Sequence, residues 1–431
     1  MAMGGDAGRA ELRLDLLFYA FGGVFALVTA VLSEFYGYRV WGNFAVSGYF
    51  AAAALTLLRP TQRWLPVVVS GVLSIVAPLL YLAFRRAPDF TWGPWPWSFP
   101  AQPEVWVIER AARLLLADGT PYTDLATLGR TAHPDDYTPY GPAMSVFGLP
   151  RAVFGDHPLT DSRVMFLLGS ALAVWAAWRV LGKPTISVRG AQLAAISPLT
   201  ALTLSVAGDD VAIVAMIVLA AALAYRVSPV WTGAVCAVMV AMKLTAIPAA
   251  VVIGFGVLAH AGGRALSRYL GALASVGALI TVPVLAADPA SFVEHVIKFP
   301  VGLGQASSPA SSPLPGHLIA GTGPVGHVIA LVLLGIAACA ITAWLVVRPP
   351  RSGTEVLVRV AVGLGAAILL APATRWGYLV YPVALAGAAI AFAAITATPG
   401  PASQRDPGPD SATDHPAGPS AGTTPNPSGL S

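Results

Sequence analysis

Long apolar blocks recur along most of this chain, and they constrain its fold more than any other feature of the sequence. Most blocks run for about 18 to 22 residues, the length that a helix rising ~1.5 Å per residue needs to cross a ~30 Å hydrocarbon layer. They are nearly continuous runs of Ala, Leu and Val, without the alternation that is typical of barrel strands. We therefore expect an all-α polytopic membrane protein.

The composition of the chain excludes a soluble globular domain. Of its 431 residues, 56% are hydrophobic and only 11% are charged, whereas about a quarter of the residues are charged in an ordinary soluble domain. The net charge of +4 includes no basic cluster of the kind that binds nucleic acid. We expect membrane lipids, and no nucleic acid, as partners.

The apolar blocks predict a bundle of about 10–12 transmembrane helices. The stretch 230–260 is long for one span and is broken near Lys243 and Pro248. It predicts either two short helices that enter and return, or one long kinked helix. The other predicted spans are 14–33, 43–58, 64–84, 162–181, 190–207, 211–226, 269–287, 324–347, 354–372 and 376–396.

Arginine and lysine residues fill the short connections on one side of these spans and are scarce on the other. By the positive-inside rule, this bias places both termini of a multi-pass cell-membrane protein in the cytoplasm. Two long polar segments, 85–162 and 288–323, then face the outside and carry short amphipathic helices. We expect 1–396 to form one transmembrane domain, and the Pro-, Gly- and Ser-rich remainder, 397–431, to be a disordered cytoplasmic tail.

The first outer segment is predicted to contain a short helix over 103–119. Pro103 suits the first helical position, and Gly119 suits a helix end. Apolar residues spaced by three and four share one face, as expected of a helix that lies on a membrane surface. That face comprises Val107, Ile108, Ala111, Leu114 and Leu115.

Three carboxylates of this segment have different expected roles. Glu104 projects from the N-terminal end of the apolar face, where it either takes a proton from a sugar hydroxyl or only stabilises the positive end of its helix. Asp89 is a rival for the first role, or else a turn residue after Pro88. Glu109 stands four residues before Arg113 and predicts a solvated surface ion pair.

Further candidate binding residues lie at the ends of predicted spans. Asp209 and Asp210 either cap the next helix or belong to a polar site, because adjacent carboxylates at a membrane boundary are costly unless solvated, paired or bound to a cation. Lys243 is either a snorkelling lysine or a phosphate ligand at the break in 230–260. Arg375, at the outer end of the last spans, binds either lipid headgroups in general or one particular phosphate.

Aromatic and histidine residues of the outer segments give weaker signals. Tyr122 and Tyr140 suit a membrane interface, and they also suit stacking against sugar rings. His317 follows a Ser- and Pro-rich loop, where a lone histidine is more often structural or solvated than catalytic.

The order of several loose motifs resembles glycosyltransferase family 87. VxxxAARxLLAxGxPY begins at Val107 and is followed by YxPxGP at Tyr137; AGDD, AMKLTAIP and LAPATRWGYLVYP come later. The resemblance covers about residues 75–396. The chain departs from the family pattern at Glu104, where the family usually has aspartate, and in AGDD, where the family usually has Gln and Asn.

This resemblance implies a GT-C-like fold and an activity like that of the actinobacterial mannosyltransferases that depend on polyprenyl-phosphomannose. A hexose, mannose above all, would pass from a polyprenyl-phosphate sugar donor to a lipid or cell-envelope glycan acceptor at the outer face. Glu104 or Asp89 would be the general base, and basic side chains would stabilise the departing phosphate, with no metal or other cofactor required. The expected donor- or substrate-binding residues are Tyr122, Tyr140, Asp209, Asp210, Lys243, His317 and Arg375. The alternatives are a transporter or lipid flippase, and a non-catalytic membrane protein that retains the fold.

Overall fold

The computed structural model describes residues 6–86, 100–226 and 228–397. Within these ranges the chain forms helices joined by turns and loops, with no strand, as predicted. Asp89 and the tail after Ala397 lie outside the described residues. The helices are α1 (Asp6–Leu32), α2 (Tyr36–Leu58), α3 (Trp64–Phe84), α4 (Pro103–Asp118), α5 (Leu149–Phe154), α6 (Ser162–Val180), α7 (Val188–Ala194), α8 (Pro198–Val206), α9 (Asp209–Tyr225), α10 (Pro229–Met242), α11 (Ile247–Ala261), α12 (Gly263–Ala287), α13 (Pro289–Phe292, continued by a wider π-type turn Val293–Lys298), α14 (Pro315–Ala320), α15 (Pro324–Val347), α16 (Gly353–Leu370) and α17 (Val380–Ala397).

Nine of the helical stretches in the described ranges are long and apolar enough to cross a membrane. They comprise α1, α2, α3, α6, α11, α12, α15, α16 and α17. Three shorter passes, formed by the pair α7–α8, by α9 and by α10, run through the bundle beside them. The nine and the three make twelve passes in the described part of the chain, which agrees with the prediction of about 10–12.

The two ends of the bundle differ in chemistry. One end, which we call the loop end, carries the described parts of both long polar segments, and these contact each other where the Thr138 amide donates to His295 Nδ1 (2.9 Å). At the opposite end, Arg63 and Arg189 both pair with Asp15 of α1, at 2.7 and 3.0 Å. The two polar segments therefore lie at the same end of the bundle, as the charge bias predicted.

The stretch 230–260 forms two helices that run in opposite directions. Both pack on Tyr269 of α12: its backbone lies directly against Gly233 of α10, and its hydroxyl donates to the carbonyl of Ala250 of α11 (2.7 Å). A continuous helix would hold these two residues about 25 Å apart, beyond the reach of one tyrosine. The two-helix alternative is correct, and Lys243, with extended backbone, lies at the turn between the helices.

The stretch 190–207, predicted as one span, is broken into two short helices. α7 ends at Ala194, and α8 begins at Pro198 after a break in the helix. Ser197 caps α8 by accepting the Thr200 amide at 3.2 Å, and Pro198 has no N–H to continue the hydrogen bonding of α7. The apolar composition indicated the pass but not the break within it.

α4 begins and ends where the sequence predicts, but its apolar face is covered by protein and not by lipid. It begins at Pro103 and ends at Asp118, where the following Gly119, with a φ of 72°, stops the helix. Its apolar face does not lie on a lipid surface, because Ile108 and Ala111 are buried in the protein and Ile108 packs in the same core as Met144. The spacing of apolar residues defined a face but did not show what covers it.

The predicted surface pair of Glu109 with Arg113 is also wrong. Glu109 is only 2% exposed and pairs with Arg86 (2.5 Å) and Arg151 (3.2 Å), while Arg113 is exposed. Arg86 also reaches Asp161 at 2.9 Å. Since buried charges are costly unless they are paired, this network fixes α4 against the chain that leaves α3 and enters α6.

Candidate active site

Two aspartates begin α9 at the loop end of the bundle. Gly208 precedes them with a φ of 100°, and a side chain at Gly208 would meet the Phe166 ring, so glycine is required at this turn. Asp209 and Asp210 are both buried in the first turn, where the helix dipole favours negative charge.

The ammonium of Lys243 lies between these two carboxylates. Its Nζ is 3.1 Å from Asp209 Oδ2 and 2.6 Å from Asp210 Oδ1. The Tyr140 hydroxyl donates to Asp209 (3.2 Å), and the Tyr381 hydroxyl donates to Asp210 (2.7 Å). We call these five side chains the lysine cluster. Two carboxylates and one ammonium give it a formal charge of −1, so the aspartates do more than cap a helix and Lys243 is not a free cation.

A close backbone approach holds Tyr140 beside the turn between α10 and α11. The Gly141 amide donates to the Met242 carbonyl (2.9 Å), and a Cβ on Gly141 would lie 2.2 Å from a backbone oxygen of α10, so only glycine fits. Behind it, the Tyr122 hydroxyl donates to the Tyr140 carbonyl (3.1 Å), and its ring stacks on His295. Tyr122 therefore supports the position of Tyr140.

A second charged group, the Glu104–Arg375 pair, joins the first turn of α4 to the loop between α16 and α17. Arg375 Nη1 donates to Glu104 Oε1. The other carboxylate oxygen, Oε2, is buried and has no hydrogen-bond partner among the described residues. The two side chains keep exposures of 18% and 35%, so a ligand can reach the pair.

Two tyrosine rings connect this pair to the lysine cluster. Lys243 Nζ lies 5.4 Å from the centre of the Tyr140 ring and 5.2 Å from that of Tyr378, three residues after Arg375. Both tyrosines are also within electrostatic reach of Glu104. The two groups therefore form one site, which combines aromatic faces with an unpartnered carboxylate oxygen, a guanidinium and a buried acidic pair.

Asp135 is a further carboxylate near the pair, and the sequence analysis did not single it out. Burial and the nearby Glu104 raise the pKa of Asp135 above its ordinary value, and Arg375 is also within electrostatic reach. Arg110 fixes this turn by donating to the carbonyls of Asp135 (2.8 Å) and Asp136 (2.9 Å). In the sequence, the signal for Asp135 was its position at the start of DDYTPYGP, five residues before Tyr140.

His317 is a further candidate, and it lies apart from these contacts. The His317 ring nitrogen Nδ1 is 2.9 Å from the Pro372 carbonyl oxygen, so His317 contacts the Arg375 loop and is not bonded to either charged group. Asp89 lies outside the described residues. Across the described ranges, no three His, Cys, Asp or Glu side chains cluster in a way that could hold a metal ion.

Comparison with known families identifies the family of this chain. The sequence profile of glycosyltransferase family 87 matches residues 137–372, which is more than half of the chain. The matched region contains Tyr140 and Lys243, and Glu104 and Arg375 lie outside its two ends. Searches of curated proteins and of solved structures found no match. Because the family profile covers more than half of the chain and the described helices are long and apolar enough to cross a membrane, the chain belongs to glycosyltransferase family 87 and is a membrane glycosyltransferase.

Proposed function

We propose that this protein transfers a hexose, mannose as the first choice, from a polyprenyl-phosphate sugar to a lipid or cell-envelope glycan at the outer face of the membrane. The observation that carries the proposal is an apolar groove that ends beside the charged site. A donor with an isoprenoid tail and a phosphate-linked sugar would need both features side by side.

The groove lies between α10, α11 and α12 and has a volume of about 670 Å³. Val251 and Leu270 on its walls are 50% and 49% exposed, so the groove opens on the flank of the bundle, where lipid would be. At the loop end it is lined by Gly141 and Leu244, the neighbours of Tyr140 and Lys243. A lateral opening of this kind supports a lipid-linked substrate, whereas a transporter usually has a central site between repeats.

The charged site suits the head of such a donor. Arg375 offers a planar set of donors for the phosphate. Tyr378, which is partly exposed, offers an aromatic face for the sugar ring, whereas Tyr140 and Asp209 are buried and support the site from within. Because both carboxylates already hold Lys243, we assign to the lysine the role of fixing the aspartates, and not that of the main phosphate ligand.

Glu104 is the proposed general base. It would take the proton from the acceptor hydroxyl as that oxygen forms a bond to the anomeric carbon. The bond from this carbon to the phosphate oxygen breaks, and its electron pair leaves on the polyprenyl phosphate, whose charge Arg375 stabilises. The products are the glycosylated acceptor, polyprenyl phosphate and a protonated Glu104, and a single displacement inverts the anomeric centre.

Transfer of label tests this function. Purified protein in lipid nanodiscs would receive polyprenyl phosphate carrying radiolabelled mannose or glucose, together with a lipid extract of the native envelope. We expect label to move from the polyprenyl lipid to an acceptor. Label that stays on the polyprenyl lipid with either sugar would contradict the proposal, as would equal transfer from a nucleotide sugar.

A further inference from the structure

The contact between Glu104 and Arg375 opposes the roles that the proposed function gives to these residues. A carboxylate oxygen that already accepts a guanidinium N–H is less available to accept a hydrogen bond from an acceptor hydroxyl. A guanidinium already paired with a carboxylate is less available to a phosphate. While the pair is formed, therefore, each group is withheld from the role proposed for it.

The surroundings of the pair allow it to open by movement of one side chain. The backbone of the Arg375 loop is fixed: the Ser312 amide donates to the Thr374 carbonyl (3.0 Å), and the Trp376 amide donates to the Ser312 hydroxyl (3.0 Å). The Arg375 side chain itself is 35% exposed. It can therefore change partner without moving the helices that follow and precede the loop.

Glu104 can lose its arginine without losing its place. Pro103 and the first turn of α4 fix its backbone, and Glu109, one and a half turns further along α4, is held in the buried network with Arg86 and Arg151. What the arginine controls is the charge next to Glu104, not its position.

We propose that the Glu104–Arg375 pair is a latch that the donor phosphate opens, so that Glu104 becomes an effective base only after the donor has bound. The phosphate competes with Glu104 for Arg375, and the departing guanidinium frees Glu104 Oε1 for the acceptor hydroxyl. Binding is then ordered, with the donor first. This inference rests on the proposed function, because it needs Arg375 to bind the donor phosphate.

Binding of a sugar-free lipid phosphate tests the latch apart from catalysis. Isothermal titration of farnesyl phosphate into nanodisc-embedded protein would compare the wild type with Glu104→Gln and Arg375→Gln. Glu104→Gln keeps the shape but removes the competing charge, so we expect binding ~5-fold tighter than in the wild type, the size expected for one partly exposed ion pair. Farnesol, which lacks the phosphate, should bind the wild type and Glu104→Gln equally.

The matched control is Glu294→Gln, which removes a carboxylate paired with Lys298 at the same end of the bundle and should leave the affinity unchanged. Equal or weaker binding of farnesyl phosphate by Glu104→Gln would overturn the latch while leaving the transfer assay to judge the proposed function. Equal binding by the wild type and Arg375→Gln would overturn both the latch and the phosphate role of Arg375. Because Glu104→Gln is isosteric, its result decides the question even if Arg375→Gln fails to fold.

Discussion

Glu104 and Glu109 lie five residues apart on α4, and their surroundings give them opposite properties. Glu109 is buried in ion pairs with Arg86 and Arg151 and serves to fix the helix. Glu104 keeps one carboxylate oxygen unpartnered among the described residues, beside a single arginine that remains partly exposed. At the scale of one residue, the number of nearby cations separates a structural carboxylate from the one that we propose as the general base.

Replacing Glu104 by glutamine should nearly abolish sugar transfer. Glutamine keeps the shape but cannot accept the proton of the acceptor hydroxyl, so we expect turnover to fall ~100-fold or more with protein level unchanged. The measurement is the initial rate of label transfer at saturating donor. Asp89→Asn is the comparison: loss of transfer in Asp89→Asn together with retention in Glu104→Gln would identify Asp89 as the base.

Lys243→Met should destabilise the protein strongly. Without the ammonium, Asp209 and Asp210 remain buried and uncompensated, and removing one partner from a buried ion pair typically costs about 3–5 kcal/mol. Thermal unfolding in detergent, followed by tryptophan fluorescence, would measure the loss. Lys298→Met, which breaks a half-exposed pair with Glu294, should unfold close to the wild-type temperature. Equal unfolding temperatures for the two variants would contradict the structural role of Lys243.

At the scale of elements, contact between the two polar segments shapes the loop end. His295, fully buried in the turn after α13, accepts the Thr138 amide through Nδ1 and lies with Nε2 2.9 Å from the Thr123 carbonyl oxygen. These bonds require a neutral ring with its proton on Nε2. The same ring stacks on Tyr122, which holds Tyr140, so the docking of one segment supports the site built on the other.

Acidification should therefore loosen this docking. Burial lowers the pKa of His295 from 6.5 to about 4, so the undocked ring binds more protons than the docked ring between these two values. The stability that neutral His295 gives to the docking is fully present above pH 6.5. It falls as the pH decreases towards 4 and changes no further below that, and the total loss of docking free energy is about 3 kcal/mol. The charged groups that act electrostatically on the ring are Arg110, which lowers its pKa, and Glu294 and Asp288, which raise it.

Hydrogen exchange of the segment 288–300 at pH 7 and pH 5, corrected for intrinsic rates, would detect the loosening. His295→Asn retains a donor and an acceptor but does not titrate, so its corrected exchange should be the same at both pH values. A pH dependence in His295→Asn as large as in the wild type would assign the effect to other groups.

At the scale of the whole molecule, polarity is separated along the bundle axis. The charged site and both polar segments lie at the loop end, the basic connections lie at the other, and the apolar groove runs down one flank. A lipid substrate lying in this groove would not need to leave the membrane to present its head to the site. This separation accounts for a bundle whose helices are strongly apolar and whose chemistry is confined to one end.

The charge bias predicts that the loop end faces the outside of the cell. Single cysteines at Thr131 or Ser308, both exposed, should react with a membrane-impermeant maleimide in intact cells when Cys236 and Cys339 are replaced by alanine. A cysteine at Ser267, exposed at the start of α12, should react only after permeabilisation. The reverse pattern would invert the topology and place the site on the cytoplasmic face.

The sequence by itself determined the membrane class, the approximate positions of the passes, the two ends of α4 and the grouping of the polar segments at one end. These features depend on local properties: the length of an apolar run, a proline or glycine at a helix end, and the count of charges in short connections. The family resemblance was also readable from the order of short motifs, and the family profile confirms it.

Only the tertiary structure decided which charges meet. Glu104 and Arg375 are 271 residues apart in the chain, and Lys243 reaches both aspartates from 33 and 34 residues away. Helical periodicity identifies neighbours within a turn or two, so it paired Glu109 with the nearby Arg113 and missed the distant arginines. A buried charge takes whatever opposite charge the packing brings near, because an unpaired charge there is costly, and packing is a property of the whole chain.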